Sequence, residues 1–133
     1  MALMTILVTG APGFIGTELC RQARERGDIL ATASHAWTKH AWLAETDWAR
    51  FDAIVHLAAA GVNFGAPDRM WEICIQVNHV ATVQLMETIA QSGAAPTIFI
   101  PGSIRETETA TTPHYWIDPY IVTKKLSGIY VAE

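Results

Sequence analysis

The sequence predicts an α/β fold, a doubly wound parallel sheet with helices on both faces. Short apolar runs with the residue types of buried strands alternate along the chain with segments whose apolar residues recur at helical spacing. Strands that alternate with helices in this way form parallel sheets covered on both sides. With 133 residues, half of them hydrophobic, the chain is long enough for a core of its own, so 1–133 is interpreted as one domain.

The individual elements follow from the same patterns. Gly27 is well placed to end the first helix, and Asp68 can cap the long second one. The stretch 37–50 is too short for a full strand and helix, which indicates an abbreviated connection. The predicted strands are 5–8, 29–34, 51–58 and 96–103. The predicted helices are 14–26, 68–91 and a last one that begins at Asp118 or Pro119.

Charge and composition exclude several classes of partner. The net charge is −4 and no run of basic residues occurs, which argues against binding to nucleic acid or to an anionic membrane. No apolar stretch reaches about 18 residues and the amino terminus has no signal-peptide pattern, so we expect a cytoplasmic protein. Cys20 and Cys74 lie in helical patterns without a nearby second cysteine, which predicts two buried thiols and no metal site.

The glycines of VTGAPGFIG, residues 8–16, lie between the first strand and the first helix. They could form a structural turn only, but in this position such a turn is typical of a loop that binds a dinucleotide. The backbone must approach a pyrophosphate without a Cβ in the way, and the helix N–H groups then hold the anion. The predicted phosphate-binding residues are Thr9, Gly10, Gly13, Phe14, Ile15 and Gly16.

Four motifs in this order resemble the extended short-chain dehydrogenase/reductase family of nucleotide-sugar epimerases and dehydratases. They are TGAPGFIG with HLAA at 56–59, the helix that contains Asn78, the serine-bearing strand TIFIPGS, and PYIVTKK, which matches Pro-Tyr-x-x-[Ser/Thr]-Lys. The resemblance spans the whole chain. It implies a Rossmann-like fold, an NAD or NADP cofactor, a nucleotide-sugar substrate and a largely architectural Asn78. It also implies that Leu57, Ala58 and Ala59 contact the cofactor.

The reacting groups implied by the resemblance are Ser103, Tyr120 and Lys124. Tyr120 and Lys124 are four residues apart, which places them on one face of a helix. A phenol has an ordinary pKa of about 10, and a nearby ammonium favours its ionised form. In the family, Tyr120 would be the general acid/base, Lys124 would support it and hold the nicotinamide ribose, and Ser103 would orient the substrate.

Cofactor choice and reaction type rest on departures from the family pattern. Ser34, His35 and Lys39 stand where an NAD enzyme is expected to have a ribose-binding acid, which slightly favours NADP over NAD. A 4,6-dehydratase would have an Asp-Glu pair after its threonine, whereas Ile104 and Arg105 follow Ser103. This argues against dehydration and leaves an epimerase or a keto-reductase.

Family members continue into a smaller lobe that binds the nucleotide-sugar, whereas this sequence ends nine residues after Lys124. A truncated chain and a natural short form both stay open, and we expect the 133 residues alone to bind dinucleotide without turnover. The resemblance also implies a homodimer through the helices 68–91 and 120–131, with Trp71, Val83 and Leu126 as candidate contacts. A non-catalytic dinucleotide-binding module and a pure interaction fragment are alternatives, although Ser103, Tyr120 and Lys124 together favour an enzyme.

Overall fold

The architecture is seen in a computed structural model, which describes residues 2–33, 41–61, 70–103 and 118–132. Its elements are β1 (Thr5–Thr9), α1 (Phe14–Arg26), β2 (Ile29–Ala33), α2 (Ala41–Glu45), a 3-10 helix (Trp48–Arg50), β3 (Ala53–His56), α3 (Met70–Cys74), a π-helical segment (Ile75–Val80), α4 (Ala81–Ser92), β4 (Thr97–Phe99) and α5 (Pro119–Ala132). They fall into two compact units. The first is Met1–Ala58 with Glu87–Pro101, and the second is Ala59–Met86 with Gly102–Glu133.

The first unit contains a four-stranded sheet in the order β2-β1-β3-β4, and all of its neighbouring strands are parallel. In β1, the four consecutive residues Ile6, Leu7, Val8 and Thr9 are buried. A strand that is buried at every position has both faces covered, as in α/β proteins with helices on either side of the sheet. The predicted fold class is confirmed.

Two aspartates join the strands at their amino ends. Asp28 precedes β2 and accepts a hydrogen bond from the Met4 N–H at 3.0 Å. Asp52 precedes β3, and its carboxylate accepts from the Thr5 N–H at 2.7 Å. The backbone of Asp52 also accepts from Thr97 N–H at 3.0 Å, so β1, β3 and β4 begin at the same level of the sheet.

Helix α1 packs one face on the sheet. Cys20 is buried with Ile6 and Val8 in a single apolar cluster. The helix ends at Gly27, which has the left-handed φ of 92° and donates its N–H to the last turn. The prediction of a helix over 14–26 with a glycine stop is therefore confirmed, as is the prediction that both cysteines are buried and unpaired.

The observed β3 and β4 are shorter than the predicted strands, which include residues beyond the paired positions, whereas β1 continues to Thr9, one residue past its predicted end. The third strand was predicted over 51–58, whereas ladder pairing in β3 covers Ala53–His56. The abbreviated connection contains α2 and the 3-10 helix. It is held by Trp48, which is buried and donates its indole N–H to the Leu43 carbonyl at 3.1 Å.

In the second unit, the predicted helix over 68–91 is interrupted by a π-helical segment. Its predicted cap, Asp68, lies outside the described residues. Helix α5 begins at Pro119, as predicted, because the Asp118 carboxylate accepts from the N–H groups of Tyr120 and Ile121 at 2.9 and 3.2 Å. Within the four described ranges, no helix has both the length and the apolar character needed to cross a membrane.

The Asp28 carboxylate gives a pH-dependent prediction. The Met4 N–H and, secondarily, Arg26 hold the pKa of Asp28 below its ordinary value. A depressed folded-state pKa contributes stability that is present above the unfolded pKa of about 4 and is lost as the pH falls through the folded value. We expect Asp28→Asn to lower the free energy of unfolding at neutral pH, and the difference from wild type to shrink in acid.

Urea denaturation of both proteins at neutral pH and at about pH 3 measures this difference in the free energy of unfolding. The lower pH lies below the unfolded-state pKa of an aspartate. Asp47→Asn is the control, because the Asp47 side chain makes no capping hydrogen bond to the 3-10 helix that it precedes. A destabilisation by Asp28→Asn that is as large in acid as at neutral pH would contradict the assignment.

Candidate dinucleotide and proton-transfer site

The glycine loop connects the carboxyl end of β1 to the first turn of α1. It is closed by a hydrogen bond of 2.9 Å from the Gly13 N–H to the Gly10 carbonyl. Gly10 has a φ of 70°, and a Cβ at this position would lie 2.6 Å from the backbone nitrogen of Ala58. A Cβ on Gly16 would overlap the Gly10 carbonyl oxygen. The loop can therefore form only with glycine at both positions.

The amino end of α1 carries no side-chain cap. Gly13 makes no capping hydrogen bond, and the first turn contains no acidic residue. The first two residues of the helix, Phe14 and Ile15, are 98% and 60% exposed. The N–H groups of a first turn have no partner within the helix, and together with the helix dipole they favour an anion. The loop thus has the backbone geometry of a phosphate cradle.

Thr9 and His56 hold the two strand ends next to the loop. Both side chains are buried, and Thr9 Oγ1 lies 2.7 Å from His56 Nδ1. The same hydroxyl accepts from the Ala58 N–H at 3.3 Å, and the Leu57 N–H bonds the Thr9 carbonyl at 3.1 Å. Thr9 is fully buried, so its side chain fixes the strand ends and Leu57 and Ala58 instead of facing outward. His56 is a hydrogen-bonded core histidine.

The remaining predicted cofactor residues fall elsewhere. Ser34, His35 and Lys39 lie outside the described residues. Ala59 is exposed and is the first residue of the second unit. The first unit therefore brings together Thr9, Leu57, Ala58 and the glycine loop.

The second unit carries Tyr120 and Lys124 on α5, one turn apart. Tyr120 is half-buried, whereas Lys124 is only 7% exposed. A buried ammonium costs free energy unless polar groups surround it, and buried ionisable side chains are common at functional sites. Ser103, which is half-buried, follows β4 by four residues and belongs to the same unit.

Asn78 forms the polar centre of the second unit. Its side-chain amide accepts from the Ala60 N–H at 2.7 Å and donates to the Ala60 carbonyl at 2.9 Å. The same Nδ2 donates to Thr123 Oγ1 at 3.1 Å, one residue before Lys124. The amide thus binds both the chain that follows β3 and the helix that carries Tyr120, consistent with the architectural role that the resemblance implies.

Cys74 and Gly61 complete the contacts of this loop. The Cys74 thiol donates to the Ala60 carbonyl over 3.6 Å. A Cβ on Gly61 would lie 2.5 Å from Cys74 Sγ and 3.4 Å from Tyr120 Cβ, so the loop fits closely between α3 and α5. Burial, and secondarily the charge of Asp118, raises the pKa of the Cys74 thiol, which keeps it protonated and unreactive.

Sequence reasoning missed Thr82, Thr123 and Ser127, three buried hydroxyl residues around Asn78. Two of them lie on α5, where Tyr120, Thr123 or Lys124, and Ser127 recur at helical spacing along one face. A polar stripe on an otherwise apolar helix was the signal that could have revealed them. Among the described residues, no group of three His, Cys, Asp or Glu side chains could hold a metal ion.

Several solved structures are similar in fold to this chain. MoeE5 in complex with UDP-glucose and NAD is 23% identical with a TM-score of 0.73, covering 94% of this chain and 47% of that one. The Bordetella bronchiseptica enzyme WbmF in complex with NAD+ and UDP is 17% identical with a TM-score of 0.77, covering 97% and 44%. A UDP-rhamnose synthase from Acanthamoeba polyphaga mimivirus is 14% identical with a TM-score of 0.74, covering 96% and 52%.

These similarities confirm the Rossmann-like fold, and the chain spans about half the length of the solved structures. No curated protein sequence matches the chain significantly. The model of the NAD dependent epimerase/dehydratase family, in contrast, matches residues 6–132. Since this match covers nearly every residue of the sequence, the chain belongs to the NAD dependent epimerase/dehydratase family.

Proposed function

We propose that the chain is the dinucleotide-binding part of an NAD(P)-dependent enzyme that acts on nucleotide-sugars as an epimerase or keto-reductase. The uncapped amino end of α1, behind a turn that excludes side chains at Gly10 and Gly16, is the observation that carries this proposal. Family membership supports it. The UDP-glucose and UDP held by related structures support a nucleotide-sugar as substrate.

The pyrophosphate of the cofactor would bind the N–H groups of Phe14 and Ile15. Both residues lie in the first turn of α1, and their exposed side chains leave the backbone accessible. Two or more backbone donors and the positive end of the helix dipole attract an anion without any cationic side chain. In the proposed complex, Leu57 and Ala58 border the same loop, since Gly10 packs directly on their backbone.

Tyr120 and Lys124 would carry out the proton transfer. When bound, the nicotinamide ring would accept the hydride in its oxidised form and donate it in its reduced form. Tyr120 would take the proton of the sugar hydroxyl as the carbonyl forms and return it in the reverse direction. Lys124, one turn away on α5, would favour the ionised phenol and bind the nicotinamide ribose. Ser103 would donate a hydrogen bond to the reacting oxygen and orient it.

Dehydration is the less favoured of the family reactions. Elimination of water needs an acid and a base beside the substrate, and Ile104 and Arg105 follow Ser103 where a dehydratase is expected to have Asp-Glu. The homodimer stays a prediction. Of its candidate contacts, Trp71 and Leu126 are 41% and 45% exposed, and Val83 is half-buried.

Substitution of Gly13 tests the phosphate cradle. Gly13 is exposed with an ordinary φ of −73°, and its Cβ would meet only the Gly10 carbonyl oxygen, at 3.1 Å. A valine can therefore be accommodated with small adjustments, but its side chain would stand beside the N–H groups of the first turn. We expect Gly13→Val to weaken NADH binding by about tenfold or more, equivalent to about 1.4 kcal/mol.

Tryptophan quenching on titration with NADH measures this affinity. Ala90→Val is the control, because it adds a β-branched side chain at an exposed position of α4. The proposal fails if folded wild-type protein gives no saturable response at millimolar NADH, or if Gly13→Val binds as tightly as wild type.

The preference for NADP is a separate prediction. Ser34, His35 and Lys39 offer a hydroxyl, an imidazole and an ammonium, which suit a 2′-phosphate better than a ribose diol. We expect NADPH to bind more tightly than NADH at moderate salt, and Lys39→Ala to reduce that difference. The parallel titrations decide this, and tighter binding of NADH by the wild type would show that the preference is for NAD.

Turnover is predicted to need more than this chain. The solved structures contain about as much chain again as they share with it. Correct placement of reacting groups supplies roughly 7 to 11 kcal/mol of barrier lowering, and binding of remote parts of a substrate provides that placement. We expect the 133 residues to bind dinucleotide without turning over UDP-, GDP- or dTDP-sugars, whereas a longer protein with the same Tyr120 loses most of its activity on Tyr120→Phe.

Assays of the short and the longer protein side by side, with each sugar and with NAD or NADP, measure both effects. Robust turnover by the 133-residue chain would mean that our account of substrate placement is wrong.

A further inference from the structure

Buried polar side chains lie where the π-helical segment contacts α5. Asn78, Thr123 and Ser127 are 2%, 0% and 1% exposed, and we refer to these three side chains as the polar seam. Buried hydroxyl and amide groups must be hydrogen-bonded, and each such bond has a narrow range of distance and direction. A seam of this kind therefore fixes the relative position of two helices more sharply than apolar contacts, which can slide.

Ser127 forms the first tie across the seam. Its hydroxyl lies 2.6 Å from the backbone carbonyl of Asn78 and 2.9 Å from the carbonyl of Thr123 in its own helix. The nearer acceptor belongs to the π-helical segment, where the backbone hydrogen bonding departs from the α-helical pattern. Thr82 donates to the same Asn78 carbonyl at 2.8 Å, but it does so from within the helix that follows.

Thr123 forms the second tie, one turn nearer to the reacting groups. Its Oγ1 accepts from Asn78 Nδ2 at 3.1 Å and donates to the Pro119 carbonyl at 2.6 Å. Asn78 therefore contacts α5 with its backbone oxygen and with its side-chain amide. Two ties separated by one helical turn fix both the rotation of α5 about its axis and its position along that axis.

We propose that Ser127 is a positioning residue, which acts through the Asn78 carbonyl to hold α5 in the orientation that directs Tyr120 and Lys124 to the cofactor. Ser127 lies seven residues after Tyr120 and three after Lys124, on the same face of the helix. The inference rests on the proposed function, in which Lys124 binds the nicotinamide ribose. Without the Ser127 hydroxyl, α5 loses its hydrogen bond to the Asn78 carbonyl, and its rotation about its own axis is less sharply fixed.

The test compares the binding of NADH with that of ADP, which corresponds to only one half of the dinucleotide. ADP carries adenosine and pyrophosphate but no nicotinamide riboside, and neither ADP nor NADH has a 2′-phosphate. We expect Ser127→Ala to weaken NADH binding about threefold to tenfold, the range that corresponds to one hydrogen bond, and to leave ADP binding unchanged. Calorimetric titration of the full chain with each ligand, at a temperature where both proteins are folded, measures the two affinities.

Thr82→Val is the matched control, because it removes the other hydroxyl that donates to the same Asn78 carbonyl, and this hydroxyl lies on α4 instead of α5. It should leave the NADH to ADP affinity ratio as in wild type. Thr123→Val is the second variant, which cuts the other tie and should lower the ratio as Ser127→Ala does. If Ser127→Ala does not fold, Thr123→Val decides. If neither folds, the seam is a folding requirement and the inference is wrong.

Several outcomes would overturn the inference. An unchanged affinity ratio in folded Ser127→Ala would do so, as would an equal loss of NADH and ADP binding, or an equal change in Thr82→Val. Lys124→Met distinguishes this failure from failure of the proposed function. If Lys124→Met lowers the ratio and Ser127→Ala does not, only the positioning role is wrong. If folded wild type does not bind NADH, the proposed function itself is wrong.

Discussion

The close approach of Gly10 to the chain after β3 is the constraint on which the first unit depends. Parallel neighbours β1 and β3 end at the same edge of the sheet, and the buried Thr9–His56 contact brings those ends together. Their following residues must then share a space in which a Cβ on Gly10 would stand 2.6 Å from the Ala58 nitrogen. The packing of the loop against the chain after β3 therefore already requires glycine at position 10, independently of any ligand. The first two residues of α1, which follow this closely packed turn, are exposed.

In the second unit, the arrangement of the chain depends on one buried side chain, that of Asn78. Asn78 pairs with both backbone groups of Ala60 and also reaches Thr123, so the loop after β3 and the helix α5 are bound to one amide. An unsatisfied buried amide or carbonyl would cost about 1 to 3 kcal/mol, so each partner is needed for the others to stay buried. The interruption of the long helix by a π-helical segment belongs to this arrangement, since it occurs at Asn78 itself.

The sequence predicted what depends on local chemistry. The periodicity of α1, its glycine stop at Gly27 and the strand before the glycine loop were all correctly predicted, because apolar spacing and glycine conformation act within a few residues. The ends of the third and fourth strands were placed too far along the chain, since residues such as Leu57 continue the apolar pattern of the third strand beyond the ladder. The contact between Ser127 and Asn78 could not be predicted, because the two residues are 49 apart in sequence.

For the candidate site, the same distinction holds. The motifs identified Gly10, Tyr120 and Lys124 as candidate site residues. They did not predict that Thr9 is buried and hydrogen-bonded, or that Lys124 is nearly inaccessible to solvent. Burial depends on what packs around a residue, and no spacing rule encodes it.

Lys124 is a buried cation on α5. Lysine is almost never fully buried unless it interacts with other polar groups, because desolvation disfavours the ammonium. On the face of α5 that carries Lys124, Thr123 and Ser127 stand where an ordinary amphipathic helix would have apolar residues. Thr123 and Ser127 instead form hydrogen bonds with Asn78, so the face of α5 that carries the buried ammonium is held by directional contacts and not by apolar packing alone.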